Sequence, residues 1–155
     1  MNKYLWNFAV IIVITTFGNL LINAQQPPKA PDYKLSKIKI VPFDETEGKF
    51  LDEILPDSER SFFNDLSISL FVTFEISGEA GSFEAGRNIN ISVTEGKKTK
   101  FQKSEQIGLI GEGGKYFVPV FLYGSMCDEI KITARLSGQK TTSTLMRTVP
   151  FLCGE

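Results

Sequence analysis

Two cysteines, Cys127 and Cys153, are the side chains of this chain best suited to covalent chemistry, and no histidine accompanies them. A cysteine nucleophile works as a thiolate, made by a neighbouring imidazole or by tight Cys-X-X-Cys spacing. This sequence offers neither. The same absence excludes Ser–His–Asp and Cys–His catalysis, and with them histidine-containing zinc sites. Serine–lysine and two-carboxylate mechanisms stay open. Asp52/Glu53 and Asp128/Glu129 are adjacent carboxylates, but neighbours on a strand point to opposite faces, whereas a glycosidase acid and base need a set separation across a cleft. "GEGGK" (Gly111–Lys115) departs from a phosphate loop twice, at Leu109 and at Tyr116. "DETEG" (Asp44–Gly48) lacks the alternating acidic spacing of a calcium loop. Asn90–Ser92 reads as a glycosylation sequon. No catalytic residue, metal site or cofactor is expected.

The cysteines are instead expected to form a disulfide, because the N-terminus reads as an export signal. Lys3 is the only charge before Lys29, and "FAVIIVITTF" (Phe8–Phe17) is followed by "GNLLINAQ". A cationic start, an apolar centre and small residues before a cut describe a secretory signal peptide, placed over residues 1–24 with cleavage after Ala24. The rival, an uncleaved anchor over Tyr4–Ile22, is disfavoured by Thr15, Thr16, Gly18 and Asn19. The expected address is secreted, periplasmic or cell-envelope, where disulfides persist. Removal of the leader leaves 131 of the 155 residues, enough for one domain with its own core. The net charge of −1 becomes −2 with Lys3 gone, and the charges are interspersed, so no basic face for nucleic acid is expected.

The elements that must position these residues follow from periodicity. "QQPPKAPDYK" (Gln25–Lys34) has three prolines, so residues 25–33 read as an extended leader or tether before a single domain over residues 34–155. Alternating apolar residues predict strands at Lys34–Val41, Ser67–Ser77, Arg87–Thr94, around Phe101, at Glu105–Gly111, Lys115–Gly124, Asp128–Gly138 and Thr144–Cys153. In Ser67–Ser77, Ile68, Leu70, Val72, Phe74 and Ile76 are expected to face an opposite sheet. Their burial contributes on the order of 10 kcal/mol before entropy opposes it. A hairpin pairing Ile130 with Phe151 and Ile132 with Val149 sets Cys127 beside Cys153. Asp44–Leu66 has no period of two; "KFLDEIL" reads as a helical turn or two. Its Phe50, Leu51, Leu55, Phe62 and Phe63 are expected to plug an open end; the connection either covers the second face of Lys115–Gly124 or leaves it as a patch for a partner.

Seven to eight short strands with one wet and one dry face predict an all-β, antiparallel β-sandwich. From about Lys34 to Cys153 the series resembles an immunoglobulin-like or fibronectin-type sandwich. The resemblance is architectural: the cysteines lie late, the only tryptophan is Trp6 in the leader, and no functional residue carries over.

One strand is apolar on both sides. In "KYFVPVFLYG", Tyr116, Val118, Val120 and Leu122 make one face, and Phe117, Pro119, Phe121 and Tyr123 the other. Pro119 cannot donate to a ladder, which places the strand at an edge or a bulge. The expected function is a non-enzymatic module for protein–protein interaction or structural support. Its expected partner is another exported or envelope protein, met through these four residues or through the Asp44–Leu66 connection. The alternative is a carrier holding a small apolar ligand between the sheets, given the eleven phenylalanines that remain after cleavage. A histidine-free hydrolase is the third reading.

Overall fold

The computed structural model describes residues 29–56, 62–63, 67–124 and 127–152. Ten strands follow in chain order: β1 Lys34–Asp44, β2 Lys49–Phe50, β3 Phe62–Phe63, β4 Ile68–Ser77, β5 Asn88–Glu95, β6 Lys98–Gln106, β7 Lys115–Leu122, β8 Ile130–Ser137, β9 Thr144–Val149 and β10 Phe151–Leu152. No helix occurs among the described residues, so none there is long and apolar enough to cross a membrane. There are two antiparallel four-stranded sheets, in the orders β2–β1–β4–β7 and β6–β5–β8–β9, and a separate small parallel β3–β10 pair.

Alternation decides which residues form the core. Leu70, Val72, Phe74 and Ile76 of β4 are wholly buried, as are Ile89, Ile91 and Val93 of β5 and Ile130, Ile132, Ala134 and Leu136 of β8. Residues from both sheets belong to one apolar cluster. Ile68, at the end of β4, is only half-buried and packs at the margin of that cluster. Arg147 of β9 fastens one side, its guanidinium donating to the carbonyls of Ile38 at 3.2 Å and Ile54 at 2.9 Å.

Four expectations need correction. Glu105–Gly111 is not a strand. β6 ends at Gln106, and the following loop turns inward to bury Ile107 and Ile110 while Leu109 stays exposed. Gly108 lies so close under Tyr116 that an added Cβ would meet its ring at 2.8 Å, and the Ile110 amide donates to the Ser82 carbonyl at 2.9 Å. Ser82 lies in a loop and Tyr116 in β7, and neither contact is a ladder pairing. The β8–β9 hairpin is shifted by two residues: Ile130 pairs with Val149, Ile132 with Arg147, and Ala134 with Leu145. A two-residue slip keeps every side chain on its own face, so alternation cannot distinguish the registers. β9 ends at Val149, where Pro150 has no N–H to continue the ladder.

The stretch read as helical contains instead the short β2, where Phe50 pairs with Phe43. Beyond it, Ile54 reaches the core, while Phe50 and Leu55 are exposed. The final correction concerns the leader. Tyr33 is buried, and residues 30–33 are hydrogen-bonded to the body of the domain rather than free. The signal-peptide expectation falls on residues outside those described, as does Cys153.

Candidate functional site

β7 is the edge strand of its sheet, paired on one side with β4. Its inward residues Val118, Val120 and Leu122 are buried, so by alternation Phe117, Pro119 and Phe121 point out. Phe117 is 51% exposed, Phe121 46%, and Tyr123, just past the strand, 77%. Cross-strand register sets Phe121 beside Phe71 and Phe71 beside Val41, Pro119 beside Thr73, and Phe117 beside Glu75. The rings continue across the sheet. Phe43 lies 6.3 Å from Phe121 and 5.1 Å from Phe50, Phe50 lies 5.9 Å from Phe71, and Tyr123 lies 6.4 Å from Phe121, between centroids. Such edge-on and tilted arrangements are favoured by aromatic quadrupoles.

The structure therefore brings the four sequence-predicted residues onto one surface and extends them with Phe43, Phe50 and Phe71. These three the periodicity did not single out for this role. Of the described part of the Asp44–Leu66 connection, Phe50 joins this surface but leaves Phe117, Phe121 and Tyr123 open to solvent.

Charge pairs rim the aromatic surface. Lys37 and Lys39 reach Glu53 at 2.9 Å and 3.9 Å, and Lys115 reaches Glu75 at 2.9 Å. Glu75 also accepts from Ser36 Oγ at 2.9 Å. These bonds, the lysine's first, hold its carboxyl below the ordinary value of 4.5. A carboxylate depressed by folding adds stability that is complete above its unfolded pKa and lost as pH falls through the folded value. Stability is therefore expected to decline as the pH drops below about 4.5. Glu75→Gln should flatten that decline, as read from urea midpoints measured down through the carboxylate range.

A recess of about 220 Å³ adjoins the patch, lined by Val93, Lys100, Phe101, Phe121, Leu122 and Tyr123. At its rim Glu95 meets Lys100 at 2.6 Å and accepts from the amides of Cys127 at 2.6 Å and Asp128 at 3.4 Å. Burial pushes the Glu95 carboxyl up, but the lysine and the two amides outweigh it and leave it below its ordinary value. A second recess, about 290 Å³, lies on the polar outer face of the other sheet among Asn90, Ser92, Gln102, Ser104, Thr133 and Arg135.

The remaining sequence candidates serve local structure. Asp44 Oδ1 accepts from the amides of Thr46 at 2.9 Å and Glu47 at 3.0 Å, turning the chain toward Gly48. "GEGGK" is a turn closed by the Gly111 amide on the Lys115 carbonyl at 3.0 Å. Asn90 Nδ2 donates to Ser137 Oγ at 2.8 Å. Glu53 is engaged by two lysines. Among the described residues no group of three or more His, Cys, Asp or Glu is placed to hold a metal ion.

One residue escaped sequence reasoning altogether. Arg87 is wholly buried, its guanidinium 4.1 Å over the Tyr33 ring. Nothing in "GRNIN" marks it, because its partners lie more than fifty residues away.

Fold and surface together define an all-β protein with two antiparallel four-stranded sheets and an exposed aromatic edge. No protein-family model matches the chain, and no curated protein matches its sequence.

Proposed function

We propose that this chain is an exported, non-enzymatic β-sandwich module that binds another exported or envelope protein through the outer face of β7. The observation that carries this reading is the exposure of Phe117, Phe121 and Tyr123 on a free edge, continuous with Phe43, Phe50 and Phe71. Aromatic anchors supply most of the energy of protein interfaces, and a contiguous apolar patch of this kind is uncommon on a surface that stays wet. Strand order supports the likeness to immunoglobulin-like and fibronectin-type sandwiches. Without the short strands, the first, second and fifth strands share one sheet, and the third, sixth and seventh share the other. The fourth joins the third instead of the fifth. The carrier reading draws on the recess beside Tyr123, but about 220 Å³ is below the 300–1,000 Å³ common for ligand pockets, so the interaction reading is favoured.

Replacing Phe117 and Phe121 together by Ser should abolish partner crosslinking in the native host and shift the unfolding midpoint by only a few degrees. Undiminished crosslinking by the folded double variant refutes the reading. Collapse of the fold assigns both rings to the core, and a ligand retained in native mass spectrometry revives the carrier.

Export implies an oxidising compartment, and with it a Cys127–Cys153 disulfide. The Ile130–Val149 pair stands three residues after Cys127 and four before Cys153, at the same end of the hairpin. Such a bond contributes roughly 3 kcal/mol through the unfolded state. Non-reducing mass spectrometry of the exported protein should find no alkylatable thiol; two would overturn this.

A further inference from the structure

Residues 30–33 cross the end of the two sheets without entering either ladder. Their backbone is held almost entirely by side chains. The Ala30 amide donates to Glu84 Oε1 at 2.6 Å, and the carbonyls of Ala30 and Pro31 accept from Arg87 Nη2 at 2.6 Å and Nη1 at 2.7 Å. Gln139 holds both polar groups of Tyr33, accepting its amide at 2.9 Å and donating to its carbonyl at 2.8 Å. Asp32 Oδ2 accepts the Thr141 amide at 2.6 Å. The Tyr33 ring fills a slot between Arg87 and Gly78, where an added Cβ would meet the ring at 2.6 Å. Its hydroxyl lies 3.2 Å from Ser82 Oγ.

This is how a receptor reads a peptide. Sheets bind strands through backbone ladders, whereas here the side chains of Glu84, Arg87 and Gln139 address five backbone groups, and a pocket takes one aromatic ring. Arg87 is 0% exposed, and among the described residues its Nε has no hydrogen-bond partner, so its hydrogen bonds to the segment come from Nη1 and Nη2. The β-bulge between Leu35 and Lys37 places an irregular joint where this strap enters β1.

We infer that the Arg87 slot is a peptide-binding site for an extended small–Pro–acidic–Tyr segment, filled in cis by Ala30–Tyr33 acting as a latch. The occupant it fits from outside is the same segment of a second copy, because every recognised group would be reproduced and only the joint at Ser36 need move. Reciprocal exchange of identical segments is a low-cost route to pairing.

Two measurements on the full-length chain test this. In the wild type, hydrogen exchange should show the amides of Ala30, Tyr33 and Leu35 opening at least 100-fold more often than those of Val72 and Phe74. Strap amides as slow as the core would mean the latch does not open, and the inference fails. A fluorescent peptide, Lys-Ala-Pro-Asp-Tyr-Lys-Leu, should bind the Tyr33→Ser chain at least tenfold tighter than the wild type, and adding Arg87→Met should remove that binding. A folded Tyr33→Ser chain that ignores the peptide, or binds it regardless of Arg87, overturns the proposal. Should Tyr33→Ser unfold, Pro31→Gly is titrated in its place under the same criteria. The β7 surface takes no part in either measurement.

Discussion

Gly138→Ala is expected to lower the thermal unfolding midpoint by more than about 10 °C, from a loss of about 3 kcal/mol or more in a domain of this size. Gly138 sits at φ +77°, in the left-handed region where a Cβ is strained. Strain alone accounts for about 1–2 kcal/mol. The larger part is steric, since the new Cβ would lie 2.8 Å from the Gly86 carbonyl carbon and 3.1 Å from Arg87 Cα. Both are backbone atoms at the entrance to β5, and no rotamer change relieves them. Gly81→Ala is the control: at φ +74° it has nothing within 4 Å of its added Cβ and should lose only about 1–2 kcal/mol. Equal losses at the two positions would show that the close approach of the Gly138 turn to Gly86 is not a tight constraint.

Arg87→Met is expected to destabilise by about 2–5 kcal/mol, because two backbone carbonyls lose their donors at about 1–3 kcal/mol each. Methionine keeps much of the stem packing but removes both guanidinium bonds, orphaning the Ala30 and Pro31 carbonyls. It also ends the stacking over Tyr33. Lysine should not rescue, because a single ammonium cannot reproduce a planar fork on two carbonyls. Denaturant titration gives the stability, and tryptic cleavage after Lys29 and Lys34 should accelerate as the strap is released. A midpoint loss equivalent to less than about 1 kcal/mol would place the Arg87 contribution at the level of an exposed ion pair. Gly138 approaches the backbone at Gly86 and Arg87, so the double variant should depart from additivity.

Both predictions sit at the end of the domain where sequence reading was weakest. The strands themselves were legible: β1, β4, β5 and β8 carry alternation, and a residue on the wrong face of a buried strand is costly enough to leave that mark. A period of two divided β7 into two apolar faces, and the structure turns Phe117, Pro119 and Phe121 outward. The proline signalled an edge, and β7 is one. Glu105–Gly111 misled because Ile107 and Ile110 are buried as a strand's residues would be, yet through loop contacts that leave no period.

Sequence by itself determined what is local: period-two strands, turn glycines such as Gly48 and Gly96 with their positive φ, and the histidine count that narrows the chemistry. Tertiary structure alone decided what depends on long-range partners. It set the β8–β9 register, where a slip of two preserves every face. Among the described residues of the Asp44–Leu66 connection it buried Ile54 and left Phe50 exposed. It gathered Phe43, Phe50, Phe71 and Phe121 from four strands, with Tyr123 just past β7, into one surface. It also buried a charged Arg87 against a proline-containing segment. The physical reason is the same in each case: alternation records the side of a sheet a residue faces, whereas the atoms it meets there are fixed only when distant segments pack.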